Sequence, residues 1–265
     1  TISANLAGFI AIEKNHKVSL IDFDKQGTSS SLVSKNYHPN IQSYKSGLVY
    51  QQNSGYTMLE AKAALRRYSA HADITIADLT WTFGLPYEFM HEFDVLIVPS
   101  SNSKVEIAST EIFILEYVQQ QLMKLRHKKQ MILVAPSRVD RNQLKDVKFS
   151  GLEILENYSI CPPIYRISQI NNEVLNDFWF RVDNGIISEN MKEFGDFVYE
   201  KITELKNRKL ALTAELQNRI PVNSTRPNQP VITRSDSLSK EQAKPAPESQ
   251  TQQEFSFIPP FLRKK

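Results

Sequence analysis

The sequence lacks several features that would assign it to particular protein classes. It has one cysteine, Cys161, so no disulfide can form within the chain. The absence of disulfides is typical of cytoplasmic proteins. We expect Cys161 to be buried. No run of about 18 apolar residues occurs, so the sequence offers no candidate for a membrane-spanning helix. The motif G-x-x-x-x-G-K-[ST], whose backbone cradles nucleotide phosphates, is also missing from the 265 residues.

An excess of positive charge is missing from most of the chain. The net charge is +3, and residues 220–265 hold 7 of the 32 Lys and Arg residues but 4 of the 29 Asp and Glu residues. The first 219 residues therefore carry 25 charges of each sign and are neutral. This balance excludes a globally basic nucleic-acid-binding protein, and any contact with DNA must come from a local patch.

The most informative segment is 18–27, in which an aliphatic run ends in two aspartates and then a glycine. Strand periodicity places Asp22 and Asp24 on one face, at the carboxyl end of a buried parallel strand. Gly27 can adopt the positive φ that a tight turn requires. The two carboxylates could be strand-end caps that bind backbone amides. Together with the glycine, however, they are typical of a site that handles water, a cation or a phosphate.

Strand and helix signals alternate through residue 218. Short aliphatic runs predict strands at 17–22, 73–78, 94–98, 131–135 and 163–167. Helical spacing occurs from residue 2 and again near 57–71, 104–125, 142–157, 171–179 and 189–219. This order predicts an α/β fold, a doubly wound parallel sheet with helices on both faces, in which ligands bind at the carboxyl ends of the strands.

The chain opens inside a predicted helix that leads directly into the first predicted strand. Parallel sheets are built from strand–helix–strand units, so we expect a further strand ahead of Thr1. In phosphate-binding α/β folds, the loop between that strand and the helix is the Gly-rich anion cradle. We therefore expect that the first strand and this loop are absent from the sequence.

Composition divides the chain into three parts. Residues 1–219 have the alternation of one α/β domain. Residues 220–254 are rich in Pro, Ser, Gln and charged residues, and we predict a disordered linker there. Residues 255–265 restore aromatic character next to three terminal cations, and we interpret them as an apolar and basic terminal motif.

The motifs, in this order, resemble those of the ParA/MinD group of deviant-Walker ATPases, most closely the compact ParA partition ATPases. The likeness covers roughly residues 1–205 and depends on five segments: Thr1–Ala7, Leu20–Gly27, Ile74–Asp78, Asp94–Pro99 and Ser137–Asp140. It implies a P-loop NTPase fold of the deviant Walker type, with ATP and Mg²⁺ as cofactors. It also implies that the family's P-loop, with both signature lysines, would lie just upstream of Thr1.

The resemblance implies roles for individual residues. Asp24 corresponds to the carboxylate that positions the attacking water, and Asp22 lies behind it, near the metal and the P-loop. Thr1 aligns with the last threonine of the P-loop, at or beside the magnesium-binding position. Asp78 matches the Walker B aspartate, which holds the magnesium shell through water.

Other positions leave alternatives open. Ser137 and Arg138 lie where the family contacts the base, but this segment could also be an ordinary loop in which Asp140 caps the next helix. Lys25 stands where the family usually has proline, and Leu79–Thr82 replaces the usual proline pair after the Walker B aspartate. Given these departures from the family pattern, the chain could also be a degenerate relative that does not hydrolyse ATP.

Partners are implied by the resemblance as well. ParA-like ATP-bound homodimers bind DNA without sequence preference and release it when a ParB-like or other partner protein stimulates hydrolysis. As the residues that would bind DNA, we select four basic residues of the last predicted helix: Lys201, Lys206, Arg208 and Lys209. A second basic group, at 124–129, is explained by the preference for cations at helix C-termini. We interpret 255–265 as a docking peptide, because Pro259 and Pro260 disfavour the lipid-binding helix that ends MinD-like relatives. A weak membrane anchor, which the terminal cations beside phenylalanines suit, and a segment without function stay open as alternatives.

The predicted function is that of a cytoplasmic, nucleoid-associated ParA-like ATPase for partition or segregation of plasmid or chromosomal DNA. Two alternatives stay open: a noncatalytic ParA-like adaptor, and a MinD-like, membrane-associated positioning ATPase. Because the family's P-loop lysines are missing from the sequence, we expect this chain alone to hydrolyse ATP poorly or not at all.

Overall fold

The computed structural model describes residues 1–46, 54–79, 87–124, 130–146, 148–167 and 172–219. The α-helices are α1 (Ile2–Ile12), α2 (Thr28–Lys35), α3 (Ser54–Ser69), α4 (Lys104–Ile112), α5 (Gln119–Met123), α6 (Asn172–Asn176) and α7 (Gly185–Arg219). The strands are β1 (Val18–Asp22), β2 (Ile41–Lys45), β3 (Ile74–Asp78), β4 (Val95–Ser100), β5 (Met131–Val139), β6 (Tyr158–Ile160) and β7 (Ile164–Tyr165). A π-helical segment, Phe113–Val118, joins α4 to α5, and 3₁₀ segments span Tyr87–Glu92, Arg141–Asp146 and Ser150–Leu152.

The strands pair in two groups. β1 lies between β2 and β3, and its last residue, Asp22, is paired with Asp78 of β3. β5 lies between β4 and β6 and also pairs with β7 nearer its carboxyl end. Each of these pairings is parallel, so within each group the carboxyl ends of the strands meet at one edge. The predicted α/β fold with parallel strands is confirmed.

Helices cover both faces of the strands. Successive residues of a strand point to opposite faces, and the buried cluster that contains Leu20 also contains apolar residues of α1 and α7. The next residue, Ile21, packs instead with Ala61 of α3. In the second group, Ile132 packs with Ile114 of the π-helical segment. This two-sided burial explains why the central strands are almost continuously apolar.

The helix that follows Thr1, α1, packs closely against α7. A β-carbon at Gly195 of α7 would clash with the ring of Phe9, so only glycine allows this approach. The Phe9 ring also meets the ring of Phe180 edge to face, with centroids 5.7 Å apart. These contacts fix the second half of α1 against α7 and Phe180.

Some elements differ from the predictions. The helix predicted near 142–157 is wrong, since two short 3₁₀ segments occur there. Gly151 lowers helix propensity in that stretch, and its N–H donates to the Glu111 carboxylate at 2.8 Å instead of to a helical carbonyl. α2, β2 and β6 have no predicted counterparts. β2 is an edge strand in which Ile41 alone is buried, so its apolar pattern is weak.

Several predictions concern residues outside the described ranges, including the linker 220–254, the terminal motif 255–265, basic residues 126–129 and residues 80–82. Residues Thr1–Ile220 belong to one compact unit. Within the described ranges, no helix combines the length and apolarity needed to cross a bilayer. Cys161 is buried, as predicted, and burial raises the pKa of its thiol to about 12.

Candidate functional site

The carboxyl edge of β1 and β3 gathers the predicted carboxylates. Asp22 and Asp78 are neighbours in the ladder, and Asp24 lies in the turn that follows β1. Thr1 reaches the same edge, where its hydroxyl oxygen is 2.9 Å from Ser29 Oγ of α2. The structure therefore brings Thr1, Asp22, Asp24 and Asp78 to one edge of the strands.

Asp22 is fully buried, and backbone groups satisfy both of its carboxylate oxygens. Oδ1 accepts the N–H of Asp24 at 3.0 Å, and Oδ2 accepts the N–H of Ser30 at 2.8 Å. A buried carboxylate requires such donors because its desolvation is costly. Asp22 thereby positions both the turn that carries Asp24 and the first turn of α2. A more direct catalytic role for Asp22 stays a prediction.

The turn after β1 depends on Gly27. Its φ is 69°, in the left-handed region that the sequence predicted, and its N–H donates to the Asp24 carbonyl at 3.1 Å. Asp24 is half-buried, and its Oδ1 accepts the N–H of Gln26 at 3.1 Å. Among the described residues, no protein donor occupies its Oδ2. With respect to the described residues, Asp24 thus presents one carboxylate oxygen without a protein donor at the edge.

Ser29 is a residue of the candidate site that sequence reasoning missed. Its Oγ bridges Thr1 and Asp78, at 2.9 Å from Thr1 Oγ1 and in a short hydrogen bond with Asp78 Oδ2. A hydroxyl has one proton and an ionised carboxylate can only accept. Ser29 therefore has a single proton to donate between Thr1 Oγ1 and Asp78 Oδ2. The available sequence signal was the position of Ser29, two residues after Gly27 in the first turn of a helix.

These oxygen atoms suit a magnesium ion. Proteins bind Mg²⁺ through one or two carboxylates, with water and substrate phosphates completing the shell. Thr1, Ser29 and Asp78 provide two hydroxyls and one carboxylate of that kind. Across the ranges that the structure describes, no cluster of three or more His, Cys, Asp or Glu side chains could hold a metal. The donor set fits an ion whose shell is completed by water or by phosphate oxygens.

The predicted base-contacting residues lie at the carboxyl end of β5. Ser137 Oγ donates to the carbonyl of Ser100, the last residue of β4, at 3.2 Å. Arg138 has a φ of 57°, which is uncommon for a residue with a β-carbon. Its guanidinium lies 3.4 Å from Glu106 Oε2. This ion pair is exposed, so its opening costs little.

Glu106 is a second residue that the predictions did not single out. Its N–H donates to the hydroxyl of Ser103, the N-cap of α4, at 3.2 Å. Hydrogen bonding from Ser101 and the nearby charge of Arg138 hold the pKa of Glu106 below its ordinary value, so the carboxylate stays ionised. The spacing S-x-x-E at 103–106 is a capping-box signature that could have revealed this helix start.

The predicted DNA-binding residues lie towards the amino ends of the strands. All four are on α7: Lys201, Lys206, Arg208 and Lys209. Lys209 Nζ is 2.6 Å from the carboxylate of Asp94, which precedes β4. Glu204 lies 3.0 Å from Lys201 and 4.0 Å from Arg208. The group is therefore on the opposite edge from the carboxylates, and acidic side chains offset part of its charge.

Comparison with known proteins confirms the fold. No family model matches the sequence, and no curated protein matches it. The MinD cell division protein of Aquifex aeolicus is 12% identical, over 75% of this chain and 90% of that chain, with a TM-score of 0.54. A putative plasmid partition protein from Borrelia burgdorferi, bound to AMPPNP, is 17% identical, over 76% and 93%, with a TM-score of 0.53. A ParA family ATPase from Chlorobium tepidum is 11% identical, over 73% and 90%, with a TM-score of 0.52. These structures share the predicted ParA/MinD-type ATPase fold, and at such identities the likeness concerns the fold alone.

Proposed function

We propose that the chain is a ParA-like ATPase that serves the partition or segregation of plasmid or chromosomal DNA. The observation that carries the proposal is a cluster of three carboxylates and two hydroxyls at one edge: Thr1, Asp22, Asp24, Ser29 and Asp78. In open α/β sheets, this edge is where ligands bind. The fold shared with a ParA family ATPase and with a partition protein bound to AMPPNP supports ATP as the ligand.

Each residue of the cluster has a task in this proposal. Asp24 orients the attacking water through its open oxygen, while Asp22 holds the turn in place. Thr1, Ser29 and Asp78 hold Mg²⁺, directly or through water. When bound, the ion would neutralise phosphate charge. Phosphoryl transfer is accelerated mainly by positioning and charge stabilisation, and these residues provide both.

Ser137 and Arg138 are proposed to contact the base. They lie at the carboxyl end of β5, and Arg138 becomes available when its exposed pair with Glu106 opens. We expect Arg138→Ala to weaken the binding of ATP but not that of inorganic triphosphate, as measured by titration calorimetry. Equal losses for both ligands would contradict the base contact.

The wider cycle is also part of the proposal. Two subunits sandwich ATP, and the resulting dimer binds nonspecific DNA through the basic residues of α7. A ParB-like or other activating partner then stimulates ATP hydrolysis. We place this cycle at the nucleoid, in the cytoplasm. Residues 255–265 are proposed to dock a partner. DNA binding should require ATP and decrease steeply with salt concentration. Binding to anionic vesicles that requires ATP and residues 255–265 would instead favour MinD-like positioning.

The ATPase proposal is tested with two polypeptides: this chain, and a longer one with a strand and a Gly-rich, lysine-containing loop ahead of Thr1. We expect hydrolysis by the longer polypeptide only. In the longer polypeptide, Asp24→Asn should leave Mg²⁺–ATP binding intact and lower hydrolysis about 100-fold or more. Asp78→Asn should weaken Mg²⁺-dependent binding about tenfold or more.

The control is Asp183→Asn, which removes an exposed carboxylate outside the site and should change neither quantity. Equal hydrolysis by the two polypeptides would contradict the assignment. ATP binding without hydrolysis in the longer polypeptide would favour the noncatalytic adaptor.

A further inference from the structure

The carboxyl edge of β1 and β3 concentrates negative charge. The carboxylates of Asp22, Asp24 and Asp78 meet there, whereas the hydroxyl groups that accompany them are uncharged. Like charges repel one another strongly at short distances in a partly buried site. A phosphate ligand is therefore held at this edge only where positive charge faces it as well.

Lys45, the last residue of the edge strand β2, brings a positive charge to this edge. In the parallel ladder its Cα is paired with that of Asp22. The next residue, Ser46, donates its N–H to the Asp22 carbonyl at 2.8 Å. The backbone of Lys45 is therefore fixed beside the buried carboxylate of the candidate site.

The side chain of Lys45 is on the face of the strands that α2 covers. Paired residues of a parallel ladder point to the same face, and the Asp22 carboxylate accepts the N–H of Ser30 in α2. Two residues before Lys45, Ser43 Oγ donates to the Ser30 carbonyl at 3.4 Å. The Lys45 side chain consequently extends towards the start of α2, where the turn that carries Asp24 ends.

The stem of Lys45 lies against Gly27, the residue that closes this turn. A β-carbon at Gly27 would be 2.7 Å from Cε of Lys45 and 2.8 Å from both Cδ and Nζ. Because glycine has no β-carbon, the lysine side chain can cross the turn at this point. Gly27 thus contributes two properties to the site, a positive φ and room for a long cationic side chain.

The ammonium group of Lys45 has hydrogen-bonding capacity that the described residues leave unused. It carries three N–H donors, and one of them makes a long hydrogen bond of 3.4 Å to the Gln26 carbonyl. The ion pairs of the described ranges do not include Lys45, and its side chain is exposed. Lys45 can therefore turn its charge to an anion without breaking any of those ion pairs.

Lys25 is a second cation of the same turn and provides a comparison. Its side chain is exposed, and in the described ranges no hydrogen bond or ion pair fixes its position. Lys45, in contrast, is placed by a strand on one side and by Gly27 on the other. A cation that is already in position loses less side-chain entropy when it binds a ligand.

We propose that Lys45 is a phosphate-binding residue of the candidate site, supplied by the edge strand β2. Its ammonium exchanges the long hydrogen bond to the Gln26 carbonyl for phosphate oxygens of the ligand. A contact in which both partners are charged is stronger than one to a neutral carbonyl. Gln26 is exposed, so water replaces the ammonium at its carbonyl. The inference rests on the proposed function, because it takes the phosphates of the ligand to lie at this edge.

The test measures the binding of inorganic triphosphate, in the presence of Mg²⁺, to the full chain and its variants. Lys45→Met removes the charge but keeps a long, unbranched side chain that can still cover Gly27. Lys45→Arg keeps the charge. The matched control, Lys192→Met, removes an exposed lysine of α7 outside the site. Binding is followed by NMR through the backbone amides of the turn after β1, which also detects weak complexes.

We expect Lys45→Met to weaken triphosphate binding about tenfold or more, the effect of one hydrogen bond between charged groups. Lys45→Arg should stay within about threefold of the unmodified chain, and so should Lys25→Met. Lys192→Met should change nothing. The loss in Lys45→Met should shrink at high salt concentration, because salt screens an exposed charge. An unchanged midpoint of urea denaturation in Lys45→Met separates lost binding from lost folding.

Three outcomes would overturn the inference. The first is that the unmodified chain does not bind triphosphate, and the second is that Lys45→Met binds it as tightly as the unmodified chain does. The third is an equal loss in Lys45→Met and Lys192→Met, which would assign the effect to net charge alone.

The assay needs no hydrolysis, so its result is independent of the ATPase test. Triphosphate binding that depends on Lys45, together with a longer polypeptide that does not hydrolyse ATP, would support this inference and contradict the ATPase proposal. Hydrolysis by the longer polypeptide, together with normal triphosphate binding by Lys45→Met, would have the opposite meaning.

Discussion

The two ends of the parallel strands hold their charged groups in different ways. At the carboxyl edge, Asp22 is buried and accepts two backbone N–H groups. At the amino edge, Asp94 pairs with Lys209 at 2.6 Å and Asp73 lies 3.6 Å from His16. The side chains of Asp94, Lys209 and Asp73 are about half exposed to solvent, and that of His16 is partly exposed. Buried carboxylates with backbone donors are preorganised, whereas exposed pairs exchange with water. The carboxyl edge is therefore preorganised, whereas the charged pairs of the amino edge can exchange with water.

The strongest test of this difference is Asp22→Ala. The change leaves the N–H groups of Asp24 and Ser30 without their acceptor, so we expect a loss of about 3 kcal/mol in the free energy of unfolding. Urea denaturation measures it. Asp22→Asn keeps one acceptor oxygen and should cost less than alanine. A loss below about 0.5 kcal/mol, the range of ordinary surface substitutions, would show that the edge is not preorganised by this residue.

Gly27→Ala tests the backbone of the same edge. Alanine in the left-handed region costs about 1–2 kcal/mol, and its β-carbon would lie 2.7 Å from the Lys45 side chain, which can move aside. Gly27→Asn is the control, since asparagine adopts this region more readily. Both variants are compared by urea denaturation. If alanine and asparagine are equally destabilising, the positive φ is not the cause.

Lys209→Ala tests the amino edge. Because the ion pair with Asp94 is exposed on both sides, we expect a loss below about 1 kcal/mol that shrinks at high salt concentration. A double-mutant cycle with Asp94→Ala isolates the coupling between the two side chains. A coupling as large as the Asp22→Ala effect would remove the distinction between the edges.

The smallest expected effect concerns pH. Hydrogen bonding from the backbone N–H of Lys17, together with the charge of His16, lowers the pKa of Asp73 from its ordinary value of 3.8. A depressed folded-state pKa stabilises the protein above the unfolded-state value, and this contribution is lost as pH falls through the folded-state value. A carboxyl NMR titration should place the Asp73 midpoint below 3.8. Asp73→Asn should remove only the loss of stability at low pH that comes from protonation of Asp73. An NMR midpoint at or above 3.8 would contradict the lowered pKa of Asp73.

Much of the fold could be predicted because buried parallel strands have a local signature. β1, β3, β4 and β5 are nearly continuous apolar runs, each near its predicted position. The edge strand β2 was missed because one side of it faces solvent, so its sequence alternates weakly. The helix predicted near 142–157 was wrong because spacing alone did not account for the Gly151 contact with Glu111.

The site was predictable to the extent that it follows from one strand end. The spacing of Asp22 and Asp24 and the positive φ of Gly27 are local properties, and sequence reasoning recognised them. Ser29 was missed because its importance comes from contacts with Thr1 and Asp78, which are distant in the chain. Sequence-local patterns contain no information about which hydroxyl meets which carboxylate.

The order of strands and helices, the acidic end of β1 and the turn at Gly27 follow from the amino-acid sequence, because strand period and backbone sterics act over a few neighbouring residues. Tertiary structure decided how the two similar aspartates differ: backbone N–H groups bind both carboxylate oxygens of Asp22, whereas among the described residues only one oxygen of Asp24 has a donor. It also decided that β3 and β4 leave a cavity between them. Burial and strand pairing depend on how separate elements pack, so these properties arise only in the folded chain.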